Sequence, residues 1–250
     1  MRKALIALTL CLIGSNASAE IMQTFGCKLK EGKTIENLWT TLEVVRSEFG
    51  KLPITDKSFS LFVWLPMRGS TDLDYVLGQN NATLSDMAKS SADFIDAGLS
   101  ATLGPRMAAL GDCSTSSVSE SKTFKPGKYS LKDDDRELDG VIETYACQFK
   151  PGKDLQDYDK AITYWNEQAK KLNSDVINNY EANRVTPIIG GSSRFDFGWL
   201  GVAPSLMAWA QGKEAYAASR EGRAAQARLN SVGRCDSNLW AGYWVMAPST

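Results

Sequence analysis

Two stretches of the chain place apolar residues at steps of three, four, three and four. Ile35, Leu38, Leu42, Val45 and Phe49 form the first set, and Leu155, Tyr158, Ile162, Trp165 and Ala169 the second. That spacing lines one face of a helix. Thr34 and Asp154 stand just before the two sets, and both side chains can accept a bond from the free backbone N–H groups of a first helical turn. Two amphipathic helices are therefore predicted to begin at matching places, 120 residues apart.

The same offset holds upstream. Thr24 to Lys33 laid over Thr144 to Lys153 keeps five identical residues, among them Cys27 over Cys147. Downstream, Ser58 to Pro66 is rich in Phe, Val, Leu and Trp and reads as a strand, with Ala182 to Ile189 as its counterpart. Leu73 to Gly78 parallels Phe195 to Gly201 after one insertion. Ala82 to Leu110 and Pro204 to Val232 are Ala-rich and predicted helical, each broken in two, at Gly104-Pro105 and at Gly212. Each half closes on a strand, polar over Ser116 to Phe124 and aromatic over Leu239 to Met246.

The reading is an α+β protein of two tandem β-α-β-β-α-β units, over residues 20–124 and 141–250. That element order is the ferredoxin-like split βαβ unit. A polar linker, 125–140, joins them and carries Asp133-Asp134-Asp135 and Arg136. The acidic triplet lacks the alternating oxygen ligands of an EF-hand loop and reads as solvated linker.

Strand order bears on the cysteines. In a ferredoxin-like unit the first and last strands are antiparallel neighbours. Cys27 falls late in a first strand and Cys113 just before a last one, and Cys147 and Cys235 repeat this. The expected bonds are Cys27–Cys113 and Cys147–Cys235. Each would close a loop of roughly 90 residues, worth ~4–5 kcal/mol in the chain-entropy account.

The first 19 residues read as a cleaved export signal. Arg2 and Lys3 precede the apolar run Ala4 to Ile13, and Ala17-Ser18-Ala19 supplies a small-x-small cleavage site. The run is roughly half of the ~20 residues a membrane span needs. The expected location is periplasmic or secreted, where disulfides persist. The mature chain is expected to have no membrane span. Its net charge moves from −1 to −3 on cleavage, which does not suit a nucleic-acid partner.

The chain contains no histidine. That removes Ser-His-Asp triads, Cys-His pairs and histidine metal sites. Any general acid or base must come from Asp, Glu, Lys, Tyr or Cys.

Two ferredoxin-like units in one chain resemble the dimeric α+β barrel superfamily in fused form. The resemblance covers nearly all of residues 20–250 at the level of element order, with no catalytic fingerprint. It implies two four-stranded sheets with helices outside. It also implies kinship with cofactor-free monooxygenases, muconolactone isomerases, haem-dependent peroxidases and chlorite dismutases, and stress-responsive proteins. The haem branch takes histidine as its ligand, so the resemblance implies no cofactor here, and no metal is expected.

Candidate chemistry sits in the third strand of each unit. Asp74 and Asp196 are flanked by apolar residues, where burial would raise a carboxylate pKa. The alternative is a structural role, capping a turn or pairing with Arg68 or Arg194. Phe195, Phe197 and Trp199 alternate along one strand and so share a face. Phe197, Trp199, Arg194 and Asp74 are the ligand-binding candidates, and Asp196 and Tyr243 the catalytic ones. The Gly190 to Arg194 turn lies between strands and reads as a hairpin loop rather than a phosphate cradle.

No motif names a reaction. The reading is a module that binds a small apolar or aromatic ligand, or a partner protein, without turnover. One rival is a cofactor-free monooxygenase- or isomerase-like enzyme with Asp196 or Tyr243 as proton carrier. Another is a self-associating envelope protein with an exposed sheet edge. Oligomeric state is left open.

Overall fold

The computed structural model describes residues 19–69, 71–127, 138–172, 175–190 and 195–249. The leader, the Asp133-Asp134-Asp135 triplet with Arg136, and Arg194 lie outside the described residues.

The first half runs β1 (Ala19–Leu29), α1 (Ile35–Phe49), β2 (Ser60–Gly69), β3 (Tyr75–Asn81), α2 (Leu84–Asp96), α3 (Leu99–Leu110) and β4 (Gly111–Lys125). The second runs β5 (Gly140–Phe149), α4 (Leu155–Lys171), α5 (Asp175–Asn179), β6 (Glu181–Gly190), β7 (Phe197–Ala203), α6 (Leu206–Ala218), α7 (Arg220–Val232) and β8 (Gly233–Met246). The eight strands close into one barrel in the order β1-β3-β2-β8-β5-β7-β6-β4. Every ladder is antiparallel. Each half keeps the same internal order, β4-β1-β3-β2 and β8-β5-β7-β6, and the halves join through β2–β8 and β4–β6.

The two phased helices form where the apolar steps place them. Thr34 caps α1 through Asn37 N, and Asp154 caps α4 through Gln156 N and Asp157 N. The breaks in the Ala-rich segments fall elsewhere than expected. The first comes at Gly98, which takes a left-handed φ of 71° that other residues adopt only with strain. Pro105 lies inside α3 at an exposed position, where water can meet the carbonyl it leaves unbonded. The second break comes at Ser219, whose side chain caps α7 through Gly222 N; Gly212 stays within α6. The final strands also start earlier than expected, so Cys113 and Cys235 lie inside β4 and β8.

Cys27 faces Cys113 and Cys147 faces Cys235 in the ladders, and both pairs are disulfide-bonded with Cα atoms 4.0 Å apart. Alternation along the strands sends one set of side chains into the barrel and the other toward the helices. The barrel interior draws on both halves: Met22, Phe62, Trp64 and Val76 meet Ile142, Val185, Leu200, Val202 and Trp240. Outside it lie two separate sheet–helix cores, one per half. Among the described residues, no helix is long and apolar enough to cross a membrane.

Candidate functional site

The sheet–helix layer of the second half is incompletely filled. Small residues bring α4 and α7 close together: Ala161, Ala169 and Ala225 are almost wholly buried. Helix α6 buries no residue fully. Between it and the outer face of β5, β7 and β8 lies a cavity of about 530 Å³. The matching space in the first half is about 170 Å³ and is lined by Phe25, Leu42, Leu61, Leu77 and other mostly apolar side chains.

Aromatic rings form the walls of the larger cavity. Trp165 meets Trp199 edge to face with centroids 4.6 Å apart, and Tyr158 lies against Phe197 at 4.1 Å. The Tyr158 hydroxyl donates to Gly198 O at 2.8 Å, which fixes its ring.

One end of the cavity is polar. Glu143, on β5, is 5% exposed. Its carboxylate accepts from the Tyr145 hydroxyl at 2.8 Å and the Tyr180 hydroxyl at 3.1 Å, and pairs with Lys213 Nζ at 2.7 Å. Lys213 Nζ also donates to the Tyr145 oxygen at 3.2 Å, and Trp199 Nε1 donates to the Tyr180 oxygen at 3.3 Å. A carboxylate so buried needs such partners. Burial pushes the Tyr145 phenol up in pKa, and the neighbouring Glu143 charge adds to the rise. Burial does the same to Tyr180, again with Glu143 adding and the Trp199 N–H opposing. Both phenols are therefore held as proton donors to Glu143.

Register explains why this cluster exists in one half only. Glu143 faces Gly201 across the β5–β7 ladder, and Gly201 leaves room for the Tyr180 ring. At the matching place in the first half Gln23 faces Gln79, and the two side chains bond each other at 3.2 Å. Tyr145 is matched by Phe25.

Of the ligand-binding candidates from the sequence, Phe197 and Trp199 line the cavity. Asp74, and the catalytic candidate Asp196, do not. Both are exposed and precede their strands, where Asp74 accepts from Leu29 N at 2.7 Å and Asp196 from Phe149 N at 2.8 Å. Each ties the end of the neighbouring strand in its own half. Tyr243 sits on β8, edge to face with Trp39 at 5.0 Å, beside the first-half core. Glu143, Tyr180, Lys213, Trp209 and Tyr216 were not singled out by sequence reasoning. The signal was there in the two-residue alternation Glu143-x-Tyr145-x-Cys147, set against Gln23-x-Phe25-x-Cys27.

No family model and no curated protein sequence matches the chain. Solved structures do. A protein assigned as a monooxygenase from Fusobacterium nucleatum matches with a TM-score of 0.56 at 9% identity, over 90% of this chain and 92% of its own. An anthrone oxidase-like protein matches at 0.54 and 12% identity, over 94% and 98%. This chain has the dimeric α+β barrel fold. A haem-binding protein from Thermus thermophilus shares it at a TM-score of 0.52 and 11% identity, over 91% of both chains. At these identities the likeness concerns the fold alone.

The cavity residues do not fit haem. Protein ligands to haem iron are histidine, cysteine thiolate, methionine or tyrosinate. The chain has no histidine. The described lining includes no methionine, and its two cysteines are bonded to each other. Burial drives the lining tyrosines away from the tyrosinate form.

Proposed function

We propose that this protein is a cofactor-free enzyme of the oxygenase or isomerase kind, acting on a flat, enolisable aromatic substrate in the second-half cavity. The observation that carries the reading is the buried Glu143 carboxylate, held by Tyr145, Tyr180 and Lys213 at one end of an aromatic-walled space of about 530 Å³. The aromatic walls suit a flat ring system. The substrate oxygen sits within reach of Lys213 and Tyr145. The substrate C–H proton passes to the Tyr145 oxygen as the phenolic proton passes to Glu143, and the electron pair of the broken C–H bond moves into the enolate. Lys213, next to both, steadies the charge as it moves from Glu143 to the enolate oxygen. Returned to another carbon, the proton gives an isomer; dioxygen as electron acceptor gives an oxygenated product. The fold shared with an anthrone oxidase-like protein and an assigned monooxygenase supports the same class.

The test is deuterium wash-in. Anthrone incubated with the protein in D2O should gain deuterium at its methylene faster than in buffer, and Glu143→Gln should remove the acceleration. A wild-type rate equal to buffer contradicts the reading.

Two further proposals concern how the chain is made. The equal strand orders of the halves, with matching disulfides, support descent from one duplicated ferredoxin-like unit. The leader and the two disulfides support export with cleavage after Ala19. The intact mass of protein recovered from a secreting host should begin at Glu20; a chain beginning at Met1 would contradict this.

A further inference from the structure

Helix α6 carries Trp209, Lys213 and Tyr216 at steps of four and three, so the three side chains share the face that lines the cavity. Lys213 is engaged with Glu143 and Tyr145. The other two have no partner for their donor protons. The Trp209 indole nitrogen and the Tyr216 hydroxyl are both sealed from solvent. The Trp165 indole N–H faces the Tyr216 oxygen as a donor and opposes, without cancelling, the rise that burial imposes on the Tyr216 pKa.

Leaving a buried donor unmet is costly, and most buried polar groups in folded proteins have partners. Two such atoms on one helix face, both lining one cavity, point outward to a ligand. Their chemistry says which kind. An indole N–H only donates, and a protonated phenol with no acceptor near it has a donor to offer. Several acceptors in and beside the cavity are already used: Gly198 O by Tyr158, Glu143 by two phenols and a lysine, Asn230 O by Lys150, and Asn230 Oδ1 by Gln226. Trp209 and Tyr216 are separated by roughly 10 Å of helix axis, so their ligand atoms stand apart rather than in one compact group.

We infer that the natural ligand is a flat polycyclic diketone that keeps an enolisable C–H and carries its carbonyl acceptor oxygens at separate positions, met by Trp209 Nε1–H and the Tyr216 hydroxyl. The inference rests on the cavity being the ligand site, as proposed above, and narrows the substrate class of that site.

The experiment compares anthraquinone sulfonate with anthracene sulfonate by equilibrium dialysis. The two share shape and sulfonate and differ in the two carbonyls. Wild-type protein should bind the quinone at least tenfold more tightly. Trp209→Phe and Tyr216→Phe should each weaken quinone binding by about tenfold and leave anthracene binding within about twofold, the scale expected for one lost hydrogen bond. Circular dichroism melts check that both variants fold, and Tyr216→Phe, which removes a single oxygen, carries the test if Trp209→Phe does not. Equal wild-type affinity for the two probes, or equal losses for both in the variants, would overturn the inference while leaving a binding cavity in place. Failure of both probes to bind at all would instead overturn the cavity reading beneath it.

Discussion

Tyr180 occupies the space that a side chain at position 201 would fill: a Cβ built on Gly201 overlaps the Tyr180 hydroxyl and ring. The glycine lets a phenol from the α5–β6 junction lie flat on β7 and reach Glu143 on β5. Gly201→Ala should therefore push Tyr180 off Glu143. The expected cost is ~1–3 kcal/mol, typical of overpacking, together with loss of deuterium wash-in activity. Urea denaturation and the wash-in assay check the two effects separately. Unchanged stability and activity would mean that Tyr180 has room to spare.

Lys213 and Glu143 depend on each other unequally. Glu143 is buried, whereas the Lys213 side chain is 39% exposed. Lys213→Met should cost about 1–2 kcal/mol, less than for a fully buried pair because solvent screens part of the loss. Adding Glu143→Gln should restore most of it, since the buried charge is then gone. A urea double-mutant cycle reads the coupling.

Tyr75 and Phe197 hold matching positions, opposite Cys27 and Cys147 in their ladders. The Tyr75 hydroxyl is buried without a hydrogen-bond partner. Burial, with Asp74 and Asp112 adding, pushes its pKa up to about 12. Tyr75→Phe installs the residue the second half uses, and stability in urea denaturation should stay level or rise by up to ~1 kcal/mol.

The same shifts set an alkaline limit. Tyr75, Tyr145, Tyr158, Tyr180 and Tyr216 all have pKa values raised above the ordinary 10. A raised phenol favours the fold while neutral. As pH climbs past 10 the unfolded chain releases these protons first, so each tyrosine removes stability at up to ~1.4 kcal/mol per pH unit. Melting temperature should hold between about pH 8 and 9.5 and fall steeply above pH 10. Tyr75→Phe should soften that fall.

The sequence carried the periodic parts of the fold. The 120-residue offset, the caps Thr34 and Asp154 and the cysteine spacing all arise from local pattern. Barrel closure does not. It depends on which strand edges meet across the halves, as in Trp64 and Trp240 packing 6.4 Å apart inside the barrel. The candidate site was half legible. Phe197 and Trp199 show as an aromatic face, whereas Glu143 differs from its first-half counterpart Gln23 but stands alone as an acid in its strand. Its partners come from β5, the α5–β6 junction and α6, and only folding brings them together. Asp74 and Asp196 stand out in the sequence as acids flanked by apolar residues, yet both are exposed and take the structural alternative, each accepting from a backbone N–H in its own half.

The central claim is that Glu143 receives the proton taken from a ligand in the second-half cavity. Its most direct test is to measure, on wild type and Glu143→Gln side by side, both anthrone affinity and the rate of deuterium wash-in. The account predicts affinities within a few-fold of each other and a wash-in rate at least ~100-fold lower in the variant, the usual scale of a lost general base. Equal wash-in rates in the two proteins would contradict it.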